Sequence, residues 1–307
     1  MAGPAFVDCY GDLAGRLTGE MLELVPDLEV FSGETLDERS LIDRLSERRH
    51  VLVYMGYMSE RVLRACPELK TIAYLSTGLA THGDLAIAKE LGIRFEGVKG
   101  YGNRAVAEHA VTLALAGLKR LAEMDRAVRN GAWQLMRTEE FAGKIFGVLG
   151  LGGIGVETAR IADALGARVI AWTPSGNTRG APVDLLPIEE VLAQADILSV
   201  HLALTPETQG MIGGGAFAAM KPGVVLVNTA RGDLIDETAL LAALRAGQVS
   251  HAALDVFVRE PLEAGCPLYE MDNVTLTPHS AWLTTQAIDR LLVAGLELLK
   301  RHISHDV

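Results

Sequence analysis

Short apolar, β-branched runs recur along this chain, and between them the apolar positions fall at helical spacing. AFVDCYG (5–11), LEVFSG (28–33), HVLVYMG (50–56), KTIAYLS (70–76) and IRFEGVKG (93–100) predict strands. DERSLIDRLSERR (37–49) predicts a helix among them. The rhythm restarts at KIFGVLG (144–150). It continues through ARVIAWT (167–173), DILSVHLAL (196–204), GVVLVNTA (223–230), HAALDVF (251–257) and NVTLTPH (273–279). Strands alternating with helices build a mostly parallel sheet covered on both faces, so the pattern predicts an α/β fold made of two such units.

Between the units, Val106, Ala110, Leu113, Gly117 and Leu121 repeat at helical spacing. They predict one long helix over 103–133, with Asn103 as its N-cap. Its many small residues suit a buried connecting helix, or one whose Ala and Gly face also packs on a second copy in a symmetric dimer. Gln286–His302 reads as an amphipathic helix that returns to the first unit.

Bulk properties narrow the function. The 307 residues suit about two domains. A net charge of −11 argues against binding a nucleic-acid backbone. Cys9, Cys66 and Cys266 are odd in number, widely spaced and without CxxC pairing. They fit a reducing cytoplasm better than a disulfide framework, and they argue against a zinc site. No signal peptide and no membrane-spanning run is expected.

Gly150, Gly152 and Gly155 form G-x-G-x-x-G after an apolar strand and before a helical pattern. A second strand follows at the spacing of a dinucleotide-binding unit. The phosphates would meet free N–H groups at the helix start. An acidic residue usually ends that second strand and holds both ribose hydroxyls, but here the tip is Thr173-Pro174-Ser175. Thr173 repels nothing. Thr173, Ser175 and Asn177 could donate to a 2′-phosphate and Arg179 could neutralise it. The expected cofactor is therefore NAD or NADP, with a lean toward tolerating NADP.

Three motifs follow. VNTARGDLID (227–236) places Arg231 at a strand end, suited to gripping a carboxylate. LDVFVREP (254–261) carries Glu260, and LTPHSAW (276–282) carries His279. A carboxylate beside a histidine fixes the imidazole tautomer and favours its charged form, which makes an acid–base pair.

In this order and spacing the motifs resemble the D-isomer-specific 2-hydroxyacid dehydrogenase family over nearly the whole chain. LSTGLATHGDLAIAKELGI (75–93), GYGNRAVAEH (100–109), NGAW (130–133), VHLALTPETQGMI (200–212) and NTARGDLIDETAL (228–240) belong to the match. The resemblance implies two Rossmann-like doubly wound domains. The substrate domain would be discontinuous, 1–99 plus 283–307, around a dinucleotide-binding domain at 100–282. It implies reduction of a 2-keto acid by hydride transfer from the nicotinamide. Arg231 would bind the substrate, His279 would act as acid and base, and Glu260 would orient it. Gly78 and Leu79 would offer N–H groups to the substrate carboxylate, with Asn103 and Trp282 nearby. Cofactor contacts would fall on Gly150, Gly152, Gly153, Ile154, Gly155, Thr173, Ser175, Thr208, Thr229, Ala230, Asp255, His279 and Ala281. Asp255 would hold the nicotinamide amide.

Gly153 stands where the family usually has a basic residue, and Ala203 where it often has proline. No effector domain is expected beyond His302. Two other outcomes share the scaffold. One is a nucleotide-sensing protein like the C-terminal-binding-protein corepressors, disfavoured by the lack of long tails. The other is phosphite oxidation. Formate-oxidising relatives carry Gln where Glu260 stands. Tyr54, Tyr57, Met58, Met136 and Trp282 are candidates either for the pocket wall or for plain core.

Overall fold

The computed structural model describes residues 2–33 and 37–305. The chain forms two compact units, Met1–Gly102 with Leu283–Val307, and Asn103–Trp282.

The first unit holds β1 (Ala5–Phe6), β2 (Glu29–Val30), β3 (His50–Val53), β4 (Thr71–Tyr74) and β5 (Arg94–Gly97). They pair in parallel in the order β2-β1-β3-β4-β5. Its helices are α1 (Asp12–Arg16), α2 (Gly19–Leu22), α3 (Glu38–Leu45), α4 (Glu60–Ala65) and α5 (Leu85–Glu90). Asp37 and Ser59 cap α3 and α4 by accepting the N–H groups of Ser40 and Val62. β1 and β2 are shorter than their apolar runs predict, because beyond them single backbone bonds, such as Cys9 N to Phe31 O at 2.9 Å, replace the ladder.

The second unit begins with α6 (Asn103–Leu118) and α7 (Leu121–Arg129). Then come β6 (Ile145–Leu149), α8 (Gly153–Ala164), β7 (Arg168–Trp172), β8 (Asp184–Leu185), α9 (Ile188–Gln194), β9 (Ile197–Val200) and α10 (Gly214–Ala219). β10 (Val224–Asn228), α11 (Glu237–Arg245), β11 (Val249–Leu254) and β12 (Val274–Leu276) complete it. The sheet order is β12-β11-β10-β9-β6-β7-β8, all parallel. Its strands are apolar on both faces because both are covered. Val148, Val227 and Ala253 face Ala110, Ala114 and Ala159 of α6 and α8. Leu149, Leu226 and Ala252 face the opposite way, among Val191, Phe217 and Leu240. The two-residue β8 was not legible in the apolar pattern.

The predicted long helix is two helices. Burial ends at Leu118, Arg120 takes a left-handed conformation (φ 49°), and none of α7's residues is buried. Asn103 opens α6 as its first helical residue. The Ala and Gly face expected to pack on a second copy is buried inside the unit instead. A Cβ at Gly117 would stand 2.9 Å from Val225 and 3.1 Å from His251. The exposed apolar side chains lie further on, at Leu121, Val128, Trp133 and Leu135.

After the second unit, α12 (Thr285–Ser304) returns to the first and packs on β3 and β4 through an apolar stripe that includes Leu291, Leu292, Leu296 and Leu299. Arg16 pairs with Asp289 there through both guanidinium and carboxylate edges. Among the described residues no helix is long and apolar enough to cross a membrane.

Candidate active site

In parallel sheets, function concentrates in the loops after the strand ends, and beside the point where strand order reverses. In the second unit that point lies between β6 and β9. The loop after β6 is the glycine motif. Gly150 has φ 97°, its N–H reaches Trp172 O at 2.7 Å, and a Cβ on it would lie 2.6 Å from His201 O. A Cβ on Gly155 would overlap Gly150 O, so α8 can pack this closely only through a glycine. A Cβ on Gly152 would meet open space, and this residue caps α8 without any side-chain acceptor. The first N–H groups of α8, including those of Ile154 and Gly155, therefore border an open cradle suited to phosphate.

His279 sits after β12 with φ 50°, a conformation that non-glycine residues rarely adopt. Asp255 holds it there. The His279 N–H donates to Asp255 O at 2.8 Å. The Asp255 carboxylate, 0% exposed, accepts Thr277 Oγ1 at 2.6 Å and the Ser280 and Ala281 N–H groups at 3.0 Å. His279 Nδ1 lies 2.6 Å from Glu260 Oε2, and Glu260 Oε1 accepts the Phe257 N–H at 2.9 Å. A carboxylate only accepts, so Nδ1 carries the proton and Nε2 is the nitrogen that can give or take one.

Arg231 follows β10. Asn228, 1% exposed, clasps its turn by donating to Arg231 O at 2.9 Å and accepting the Ala230 N–H at 3.0 Å. The half-buried Arg231 guanidinium donates to Ala230 O at 2.6 Å. A Cβ on Gly232 would overlap Phe257, so the Arg231 loop presses against the loop that carries Glu260. Thr229 is buried, and its Oγ1 has no hydrogen-bond partner among the described residues.

Other expected residues are placed as follows. Thr173 is half-buried at the end of β7, and Ser175, Asn177 and Arg179 are exposed in the turn beyond. Asn177 Oδ1 accepts the Arg179 N–H at 2.8 Å, so this turn is ordered by its own side chains. The Thr208 hydroxyl closes its own loop, donating to Ala203 O at 2.7 Å and accepting the Thr205 N–H at 2.8 Å. Trp282, half-buried, ends the unit. In the first unit, Gly78 and Leu79 follow β4, and the Gly78 N–H donates to Ser76 Oγ at 3.3 Å. Met58 is plain core, 0% exposed, while Tyr57 is exposed and Tyr54 and Met136 are half-buried.

Two residues escaped the sequence reading. His201 hydrogen-bonds Ser199 Oγ at 2.8 Å beneath the glycine loop, and burial pushes its pKa down to about 4. It is neutral at physiological pH. Asp8, 1% exposed, accepts the N–H groups of Tyr54, Met55 and Gly56 at 2.7, 2.7 and 2.8 Å. Burial raises its pKa, against the pull of those three bonds and of Arg44. The available signal was a polar residue ending an apolar strand run.

The sequence model described as D-isomer specific 2-hydroxyacid dehydrogenase, NAD binding domain, matches residues 111–281. The chain belongs to the D-isomer-specific 2-hydroxyacid dehydrogenase family. It is 43% identical over 261 residues to a D-3-phosphoglycerate dehydrogenase of Mycobacterium leprae, covering 83% of this chain and 49% of that one. It spans about half the length of the first such relatives. A hydroxypyruvate reductase of Blautia hydrogenotrophica is 31% identical, with 97% of this chain and 95% of that one covered. The fold is that of an acyclic imino acid reductase, Bsp5, solved with NADPH and D-Arg. That match has a TM-score of 0.86 and 26% identity, over 99% and 97% of the two chains. The family's nicotinamide cofactor fits the residues present. Gly152 leaves the cradle open, and the buried Thr229 hydroxyl lacks a protein partner among the described residues.

Proposed function

We propose that this protein is a nicotinamide-dependent oxidoreductase that reduces a 2-keto acid to the D-2-hydroxy acid. The observation that carries the reading is the His279–Glu260 pair, 2.6 Å apart, set in a loop at the same end of the sheet as the glycine motif. The unit Asn103–Trp282 is the dinucleotide-binding domain, and the other unit is the substrate domain.

When bound, the reduced nicotinamide supplies the hydride. The protein does the rest. Arg231 pairs with the substrate carboxylate and steadies charge growing on the carbonyl oxygen. His279 delivers the proton from Nε2, and removes it in the reverse direction. Glu260 fixes the imidazole tautomer and faces the charge it carries. Asp255 acts through His279, by fixing the backbone that aims it. Thr229 Oγ1 and the open N–H groups at Gly152 and Gly153 face the cofactor. With Thr173 in place of an acid, the ribose site accepts NADP as well as NAD.

The same reading makes the protein a cytoplasmic homodimer. Its free cysteines suit a reducing compartment. Its apolar segment from Leu121 to Leu135 suits a second copy, with Trp133 88% and Leu135 93% exposed.

The test is a panel of 2-keto acids, including glyoxylate, hydroxypyruvate and pyruvate, with NADH and with NADPH, followed by loss of dihydronicotinamide absorbance. Turnover giving D-2-hydroxy acid is expected. Absence of turnover across the panel would refute the reading.

A further inference from the structure

Asp255 is wholly buried and clasps the loop that carries His279, so whatever holds Asp255 decides how firmly His279 is aimed. Its carboxylate takes bonds from that loop itself, from Thr277 Oγ1 at 2.6 Å and from the Ser280 and Ala281 N–H groups at 3.0 Å. A further contact comes from outside the loop. His109 lies on α6, where its neighbours one turn away, Ala105, Val106 and Leu113, are buried. Its side chain is 25% exposed. Its Nε2 stands 3.1 Å from Thr277 Oγ1 and 3.6 Å from Asp255 Oδ1. Among the described residues no Lys or Arg pairs with Asp255, so His109 is the side chain there that can bring a donor or a positive charge to it.

Counting protons fixes the direction of these bonds. A carboxylate only accepts, so the Thr277 hydroxyl gives its one proton to Asp255. That hydroxyl can meet His109 only as an acceptor, so Nε2 of His109 carries a proton. The chain runs from His109 Nε2–H to the Thr277 hydroxyl to Asp255, and each bond polarises the next. Its last link is the Asp255 main chain, whose carbonyl accepts the His279 N–H at 2.8 Å. His279 stands at φ 50°, a conformation that persists only where the surroundings hold it.

We propose that His109 is a positioning residue for His279, acting through Thr277 and Asp255. It ties α6 to the loop after β12, so the acid–base residue is braced from a second element as well as by its own loop. What the place requires is a donor, not merely a side chain that fills it. The proposal rests on the reaction proposed above, in which His279 moves the proton.

The test compares Gln with Glu at position 109, two side chains of one shape of which only Gln can donate. His109→Gln should keep kcat for keto-acid reduction within about threefold of the unaltered protein. His109→Glu offers Thr277 only acceptors and sets a like charge beside Asp255, so it should lower kcat about tenfold or more. Keto-acid KM, and the dissociation constant of ADP-ribose measured by calorimetry, should stay within about twofold. Thr277→Ser should be tolerated and Thr277→Val should lower kcat. In the Thr277→Val background His109→Phe should add less than about twofold to the loss, because the two residues act in series. A readout free of turnover is the imidazole 15N spectrum of the cofactor-free protein, with the His109 signal assigned by its absence from His109→Phe. It should report a proton on Nε2.

Equal kcat in His109→Gln and His109→Glu would overturn the proposal, and earlier denaturant midpoints in both would then mean that His109 only holds the fold. So would a loss confined to keto-acid KM, which would mean a substrate contact. Additive losses in the double variant, or a His109 protonated at Nδ1 alone, would overturn it too. If the unaltered protein reduces no keto acid, the reaction itself fails and the positioning role falls with it, whichever nitrogen of His109 carries the proton.

Discussion

At the residue scale, the chemistry reduces to which atom of His279 is free. Glu260 occupies Nδ1 at 2.6 Å, so Nε2 is the nitrogen left for the proton transfer in the proposed reaction. His279→Ala and Glu260→Gln should each lower kcat/KM by about 10²–10⁴ while the dissociation constant for NADH stays unchanged. Arg231→Ala should raise keto-acid KM and lower kcat together. Arg231→Lys should not rescue it, because an ammonium lacks the planar fork. Near wild-type turnover in His279→Ala would remove it from the mechanism. Thr173 sets a second residue-scale expectation. Thr173→Asp adds an acceptor for both ribose hydroxyls and a charge facing any 2′-phosphate. One or two charge-assisted contacts are worth roughly 1.5–3 kcal/mol each, or about one to two powers of ten in the ratio of kcat/KM for NADH over NADPH. An unchanged ratio, measured at one ionic strength, would place Thr173 away from the ribose.

At the element scale, one device recurs. Asp8 after β1, His201 after β9, Asn228 ending β10 and Asp255 after β11 each close an apolar strand with a polar side chain that is largely or wholly enclosed. Asp8, Asn228 and Asp255 bind backbone groups of a loop that follows a strand. Every strand but β8, the glycine loop and the positions of Arg231, Glu260 and His279 were legible because each leaves a local trace: an apolar run, a glycine triplet, a charge at a strand end. What those clasps hold was not legible, since their partners lie up to 48 positions away, as for Asp8 and Gly56. The break at Arg120 was hidden for a related reason. Leu121 continues the apolar repeat of α6, but the surface that α6 packs on ends at Leu118, so Leu121 is left 58% exposed. This changes the expected interface. Charged replacements on the small-residue face of α6 would unfold the unit, whereas Leu121→Glu with Trp133→Glu should convert a dimer to a folded monomer in sedimentation. A dimer that survives both changes would exclude the 121–135 segment as its interface.

At the scale of the molecule, each unit has its own apolar core, one around β1, β3 and β4 and the others on the two faces of the larger sheet. Buried titratable groups make stability depend on pH where their pKa differs between folded and unfolded chain. His251, in β11, is 2% exposed, and its Nε2 lies 2.9 Å from Thr275 Oγ1. Burial pushes its pKa down to about 4, assisted by Arg126 and Arg120 and opposed by Glu123. The unfolded imidazole titrates near 6.5. Above that pH neither state binds the proton, and the neutral ring costs the fold nothing. As pH falls below about 6.5 the unfolded chain takes up a proton that the folded unit refuses, so stability declines as pH falls through about 4, below which both states are protonated and the loss is complete. The full loss is roughly 3 kcal/mol. His251→Gln keeps a polar group near Thr275 and removes the titration. The variant should be somewhat less stable than the unaltered protein at pH 8, where the fitted ring is lost. The gap should narrow or reverse by pH 5, as followed by denaturant melts of the Asn103–Trp282 unit within the whole chain. Parallel stability curves for the two proteins between pH 8 and 5 would mean that folding leaves the His251 pKa unchanged, and would overturn the burial argument.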